Sequence, residues 1–296
     1  MTIIDLNRAF CTEEKCREYL KRLRWPDKPT CPRCHVKTVA TLRTQGKFEC
    51  SKCCYQFSVT AGTIFHDSHL PLEKWFLATY LMCESKKGIS ANQLKRILGI
   101  SYKTAWYLCH RIRAAMTQVG APKLAGTIEV DETYIGGKLR GRGWNRALDN
   151  KTMVLGAIAR NGEVRLKVDR HADTRTLRKF IKEHTVPGEK TIYTDDRRGY
   201  LRAVGGTEVT HESVNHSAKE WVRGQVHTNT IEGVFSLFKR AVIGQYHHVS
   251  RKHLDAYLDE FEFRFNRRNR ADLFADTIRH LVLAKQVTFR KLTSGG

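Results

Sequence analysis

Two cysteine pairs set the tightest limit on what this chain can fold into: Cys31 with Cys34 in CPRC, and Cys50 with Cys53 in CSKC, fifteen residues apart. Zn2+ takes four thiolates in a tetrahedron, each C-x-x-C turn supplies two from one knuckle, and the metal replaces an apolar core in a segment too short to build one. The residues between the pairs alternate like strands around Gly46. The spacing therefore predicts a zinc ribbon, with Cys31, Cys34, Cys50 and Cys53 as ligands of a structural Zn2+. Cys54 and His35 adjoin two of these ligands, and either could displace its neighbour. Nine cysteines with this spacing suit metal binding in a reducing compartment better than a disulfide framework. The remaining Cys11, Cys16, Cys54, Cys83 and Cys109 read as small buried hydrophobes.

Charge limits the partner. The 296 residues carry 52 Lys and Arg against 30 Asp and Glu, a formal charge of +22, and the 41% hydrophobic fraction excludes disorder, collagen and coiled coil. The surplus is +5 over residues 1–70, +7 over 71–123 and +10 over 124–296. Positive charge spread over every segment points to a long polyanion, nucleic acid being the usual one. No stretch approaches the ~18 consecutive apolar residues of a membrane span, and MTIIDLNRAF lacks the features of a signal peptide. The expectation is a soluble cytoplasmic protein with no membrane partner, associated with the nucleoid when bound to DNA.

Residues 11 to 25 have helical spacing that stops before Pro26, and 1–70 reads as an N-terminal helix plus the ribbon. In 71–123, a first helix from Leu72 precedes two more, one with Ser90 as N-cap and Gly99 as its break, the other with Ser101 as N-cap. This is a helix-turn-helix pattern, in which Tyr102, Lys103 and Trp106 would enter a major groove and Arg111 and Arg113 would meet phosphates.

From Gly126 onward, strand patterns GTIEVDETYIGG, KTMVLGAIARNG and EVRLKVD precede a helix from Asp173 to His184, the strand TIYTDD, and helices. That order, with acids on the first and fourth strands, is expected of a ribonuclease-H-like α/β domain over 124–296. Asp131 and Asp195 end up within or at the end of apolar strands, where an ionised carboxylate is costly unless a cation or donor compensates it. Glu129 shares the face of Asp131 by strand alternation and Glu132 does not, yet either could be the functional acid, and Asp196 competes with Asp195 while its place after the strand predicts that it faces solvent. In HTNTIEGVFSLFKR, Asn229, Glu232, Ser236 and Lys239 share one helical stripe. Three gathered carboxylates repel unless a divalent cation binds, and hard oxygen donors suit Mg2+ or Mn2+. Two such ions would activate water or a 3′-hydroxyl and stabilise the leaving oxygen of a phosphodiester, with Lys239 holding a DNA phosphate. Arg264, Arg267, Arg268 and Arg270 interleave with aromatics and read as DNA backbone contacts, and the Gly- and Arg-rich residues 139 to 150 read as a DNA-contacting loop.

The cysteine pairs, the helical pattern, VDETYIGGK, YTDD, VHTNTIEGVFSLFKR, YHHVSRKHL and YLDEFEFRFNRR together resemble bacterial insertion-sequence transposases of the zinc-ribbon DDE type, kin to Merlin elements with an ISXO-type integrase domain, over residues 25 to 280. The resemblance implies that the family's Asp, Asp, Glu metal triad falls on Asp131, Asp195 and Glu232, and its later basic residue on Lys239. Some members of that group carry Asn in place of the third acid, which keeps Asn229 in view, and His227, His247 and His248 lie in family-like stretches. A ribonuclease-H-like catalytic domain, binding to terminal inverted repeats, and strand cleavage followed by strand transfer are implied in the same way. Two element ends held together imply at least a dimer on DNA. Two other readings compete: an inert DNA-binding regulator, and a ribonuclease-H-like nuclease that cuts without joining.

Overall fold

A computed structural model describes residues 1–42, 46–118, 120–136, 151–205 and 208–294 of the chain. The connection 139 to 150 lies outside the described residues. The chain divides into two compact units, Met1–Thr117 with Arg268–Gly296, and Gln118–Arg267.

In the first unit, α1 (Ile3–Ala9) and α2 (Glu13–Arg24) start at Thr2 and Thr12, whose side chains accept backbone N–H groups of the first turn. Three short antiparallel strands follow in sequence order, β1 (Val39–Leu42), β2 (Lys47–Cys50) and β3 (Gln56–Ser58). Trp25, just after α2, packs edge-on against Phe48 and Phe57 and closes this small sheet. Three helices come next: α3 (Leu72–Glu84), α4 (Ala91–Leu98) and α5 (Tyr102–Met116). The Ser90 hydroxyl accepts the Gln93 N–H at 3.2 Å, Gly99 takes the left-handed φ of +60° that ends α4, and the Ser101 hydroxyl accepts the Thr104 N–H at 3.1 Å.

Near the C-terminus, α10 (Leu273–Leu283) packs on α2, α3 and α5, and Phe289 of α11 (Phe289–Thr293) sits edge-on to Tyr107. Residues 268–296 thus belong to the first unit, whereas the sequence division carried them with 124–267. Their apolar face, Leu273, Phe274, Ile278 and Leu281, is buried there.

The second unit is built on a five-stranded mixed sheet: β4 (Thr127–Ile135), β5 (Thr152–Ala159), β6 (Val164–Asp169), β7 (Lys190–Asp195) and β8 (Val209–Val214), in the order β6-β5-β4-β7-β8. β4, β5 and β6 pair antiparallel, while β7 runs parallel to both β4 and β8. Strand β8 escapes the sequence pattern because VTHESV is an edge strand with one fully buried side chain, Val214.

Period-two alternation divides β4 between two cores. Ile128 and Val130 join Leu177, Phe180 and Tyr200 from α6 (Thr174–His184) and α7 (Arg198–Ala203). Ile135 joins Ile231, Phe235, Phe238, Leu258 and Phe261 from α8 (Asn229–Ala241) and α9 (Leu254–Arg267). Asp131 stands opposite Gly156 of β5, and a Cβ on Gly156 would meet Phe235 Cζ at 2.6 Å and Ile231 Cδ1 at 2.8 Å. The missing side chain lets α8 lie close against the sheet beside Asp131.

Candidate functional site

The thiols form a local cluster. Cys31, Cys34, Cys50 and Cys53 are the one group of metal-ligating side chains, among the described residues, whose donor atoms all lie within 4.8 Å of one another. Cys31 Sγ is 3.7 Å from Cys53 Sγ, and Cys34 Sγ is 3.4 Å from Cys50 Sγ. A tetrahedron with Zn–S bonds of about 2.3 Å has edges of about 3.8 Å, so the quartet fits a structural zinc ion. The two knuckles repeat each other: the His35 N–H donates to Cys31 O and the Cys54 N–H to Cys50 O, both at 2.9 Å, and both residues have positive φ. His35 and Cys54 are therefore equivalent turn residues, and Cys54 is exposed outside the quartet. Backbone N–H groups of Cys53 and Lys52 stabilise the Cys50 thiolate and hold that thiol down at about 6.

The acids are assembled by the fold instead. Asp131 lies in the middle of β4, Asp195 ends β7, and Glu232 lies in the first turn of α8. Burial pushes the Asp131 carboxyl up to about 8, and the charges of Glu132, Glu232 and Asp195 add to the shift. Burial also raises Asp195, with a further push from a hydrogen bond to Asp196. The Asp196 N–H donates to Asp195 Oδ1 at 2.6 Å, and Asp196 is half-buried, not turned to solvent as its position after the strand suggests. Glu232 accepts the Thr228 hydroxyl at 2.8 Å, and His216 Nε2 stands 3.7 Å from Glu232 Oε1.

Sequence reasoning passed over His216, although it lowers the Asp195 carboxyl and its ring lies tilted against Trp221 with centroids 4.7 Å apart. Its signal was topological: it follows β8, whose end lies beside that of β7 in the parallel pair. Asn229 is exposed at the first position of α8, and His227 Nδ1 lies 3.3 Å from Glu129.

Two of the acids weighed as alternatives to Asp131 have other partners. Glu129 is fully buried, accepts the backbone N–H groups of Thr230 and Ile231 at 2.8 and 3.1 Å and the Thr230 hydroxyl at 2.8 Å, and pairs with Arg160 at 2.9 Å. Glu132 accepts the Tyr200 hydroxyl at 2.6 Å and pairs with Arg197.

Two turns beyond Glu232, the exposed Lys239 borders a groove of about 700 Å³ that also takes in Tyr134, Ile243, His247, His248 and Arg251. Among the described residues, no acidic side chain lines it.

Several arginines expected on DNA are turned inward. Arg111 is buried, donates to His66 O at 2.6 Å and to Ile64 O, and lies over the rings of Trp75 and Tyr107. Arg113 is buried in the same helix. Arg264 is buried against the fully buried Glu260, at 3.2 Å. These three guanidinium groups serve the interior of their units, because their positions fall on the apolar faces of α5 and α9 and not on the outer ones. Arg267 is half-buried, bonded to Gln118 and stacked on Phe263, whereas Arg268 and Arg270 are exposed and Arg270 pairs with Asp272. On α5, Tyr102 and Lys103 are exposed and Trp106 is half-buried.

Comparison with known proteins finds two family models and a relative. Residues 123–266 match the family model of the ISXO2-like transposase domain, and residues 11–56 match the transposase zinc-ribbon domain. A protein in transposable element ISH50 of Halobacterium salinarum, itself uncharacterised, is 28% identical over 274 residues, which cover 87% of this chain and 92% of that protein. In both matched segments the chain is similar to zinc-ribbon, ISXO2-like insertion-sequence transposases, which supports a transposase.

Proposed function

We propose that the protein is a DNA transposase that binds the terminal inverted repeats of an insertion sequence and carries out metal-dependent strand cleavage and strand transfer. The observation that carries this reading is the placement of Asp131 on the central strand, Asp195 at the end of its parallel neighbour and Glu232 in the first turn of the helix packed on that central strand; burial pushes Asp131 up to about 8, and the charges of Glu232 and Asp195 reach it. Such a cluster is uncomfortable when ionised and is relieved by a divalent cation. The strand order β6-β5-β4-β7-β8, with an acid on the central strand and another at the end of its parallel neighbour, supports a ribonuclease-H-like catalytic domain.

In this reading Asp131, Asp195 and Glu232 hold Mg2+ or Mn2+, which supplies Lewis-acid stabilisation of charge at the scissile phosphate and a more acidic attacking hydroxyl. Thr228 orients Glu232 through its hydroxyl, and His216 stands beside the same carboxylate. Lys239, about 10 Å along the helix from Glu232, offers an exposed ammonium to the DNA backbone at the acid-free groove. Helices α4 and α5 serve as a helix-turn-helix, with Tyr102, Lys103 and Trp106 toward the DNA ends; Arg267, Arg268 and Arg270 remain candidates for backbone contacts. The quartet of thiols holds structural zinc, and the protein acts as at least a dimer on paired ends, at the nucleoid. Mg2+ and Mn2+ are equally suited to the donor set.

The test is cleavage and strand transfer on labelled DNA carrying the element's terminal repeats, with Mg2+, comparing the native chain with Glu232→Gln. Cleavage and joining by the native chain, abolished in the variant with DNA binding retained, is the expected result. Binding without cleavage by either protein would make it a DNA-binding regulator, and cutting without joining would make it a nuclease.

A further inference from the structure

The two glutamates that flank Asp131 are not spare ligands. β4 directs alternate side chains to opposite faces of the sheet, and Glu129 and Glu132 fall on different ones. Each reaches the element that carries one of the other two acids.

Glu129 spans from β4 to the start of α8. One carboxylate oxygen takes both backbone N–H groups, those of Thr230 and Ile231, and the other takes the Thr230 hydroxyl and Arg160 Nε. The first-turn N–H groups of a helix have no partners within it, so a buried carboxylate there both satisfies them and fixes the helix end. No side chain of α8's own N-cap residue does this. Arg160 extends the link: it donates to Gln225 O at 2.7 Å, in the segment entering α8, and lies over the Tyr193 ring of β7 at 4.7 Å. Glu232 follows one residue after Ile231, so its place is set through this contact.

Glu132 does the equivalent work on the opposite face. It accepts the Tyr200 hydroxyl at 2.6 Å and pairs with Arg197, and both partners follow Asp195 within five residues on the turn into α7. Tyr200 is fully buried, so the contact ties the Asp195 end of β7 to the central strand from inside the core.

We infer that Glu129 and Glu132 are paired positioning residues: Glu129 sets Glu232, and Glu132 sets Asp195, each relative to Asp131. The inference rests on the reading of those three acids as a divalent-metal site. Groups that orient metal ligands typically change affinity by ~10- to 100-fold when removed.

The experiment is Mn2+ binding, followed by electron paramagnetic resonance on the full chain with its zinc retained. Glu129→Ala and Glu132→Ala should each weaken Mn2+ binding by about tenfold or more, while zinc content stays unchanged. Glu129→Gln, which keeps an acceptor for the two backbone N–H groups, should recover most of the loss. Thr230→Val removes a single hydroxyl donor from the clamp without unfolding the helix; it should weaken Mn2+ in the same direction by a smaller factor and stands in if Glu129→Ala does not fold. Asp131→Asn separates the two levels of the argument. If it abolishes Mn2+ binding while Glu129→Ala, Glu132→Ala and Thr230→Val bind as the native chain does, the clamps are overturned and the metal site stands. If Asp131→Asn itself leaves Mn2+ binding intact, the metal reading fails and the inference falls with it.

Discussion

The thiol quartet and the carboxylate trio are two ways of building a charged cluster. The four sulfurs come from 23 residues of sequence, and each knuckle places its own ligands with backbone hydrogen bonds, so the site is built from local structure. The three acids span about a hundred residues, from Asp131 to Glu232, and their charges reach one another only because β4 pairs with β7 and packs against α8; unlike the thiols, they do not form a group whose donor atoms all lie within 4.8 Å. A local cluster is sensitive to its ligands and indifferent to distant packing. An assembled one fails when the packing beneath it shifts.

The largest effect should come from zinc removal. A strong chelator is expected to abolish protection from hydrogen exchange in β1, β2 and β3 while leaving the central sheet protected, since structural zinc contributes on the order of 10 kcal/mol to such segments. Equal loss in both regions would break the distinction between the clusters.

Next is Gly156→Ala. Its methyl would press on Phe235 and Ile231, destabilise the second unit by ~1–3 kcal/mol and lower metal-dependent cleavage by displacing α8. Thermal unfolding with a parallel cleavage assay reads both, and zinc content should not change.

A third effect depends on pH. In the metal-free chain the Asp131 carboxyl titrates at about 8, against about 3.8 when unfolded. The folded form holds that proton more tightly, so this residue costs stability progressively as pH rises from about 4 to about 8 and costs nothing below that window. Asp131→Asn should therefore raise the melting temperature of the chelated protein most at pH 8 and least near pH 5, with an upper limit of a few kcal/mol at about 1.4 kcal/mol per pH unit. A gain independent of pH would contradict the burial argument.

Arg111→Met should destabilise the first unit by ~1–3 kcal/mol by stranding the Ile64 and His66 carbonyls. The salt dependence of DNA binding should stay the same, because that guanidinium reaches no phosphate. Smallest of all, Cys54→Ser should leave zinc stoichiometry and stability unchanged, which a metal titration checks.

The same contrast explains what was legible in the sequence. The cysteine spacing, the Ser90, Gly99 and Ser101 signals and the apolar strands around Asp131 are local patterns, and the structure places elements where those patterns lie. Strand β8 was hidden because an edge strand need not alternate cleanly, and helix α10 because nothing in its own periodicity says which unit buries its apolar face. Arg111, Arg113 and Arg264 looked like DNA contacts because charge alone suggests an outward side chain; their burial depends on carbonyls and on a glutamate supplied by the fold. The roles of Glu129 and Glu132 were beyond reach for the same reason, since their partners lie 101 and 68 residues away.

The most direct test of the account is anomalous diffraction at the zinc and manganese edges from one crystal of the full chain grown with both metals. The account predicts a zinc peak among Cys31, Cys34, Cys50 and Cys53 and a manganese peak among Asp131, Asp195 and Glu232. Manganese bound elsewhere, with those three carboxylates free of metal, would contradict it.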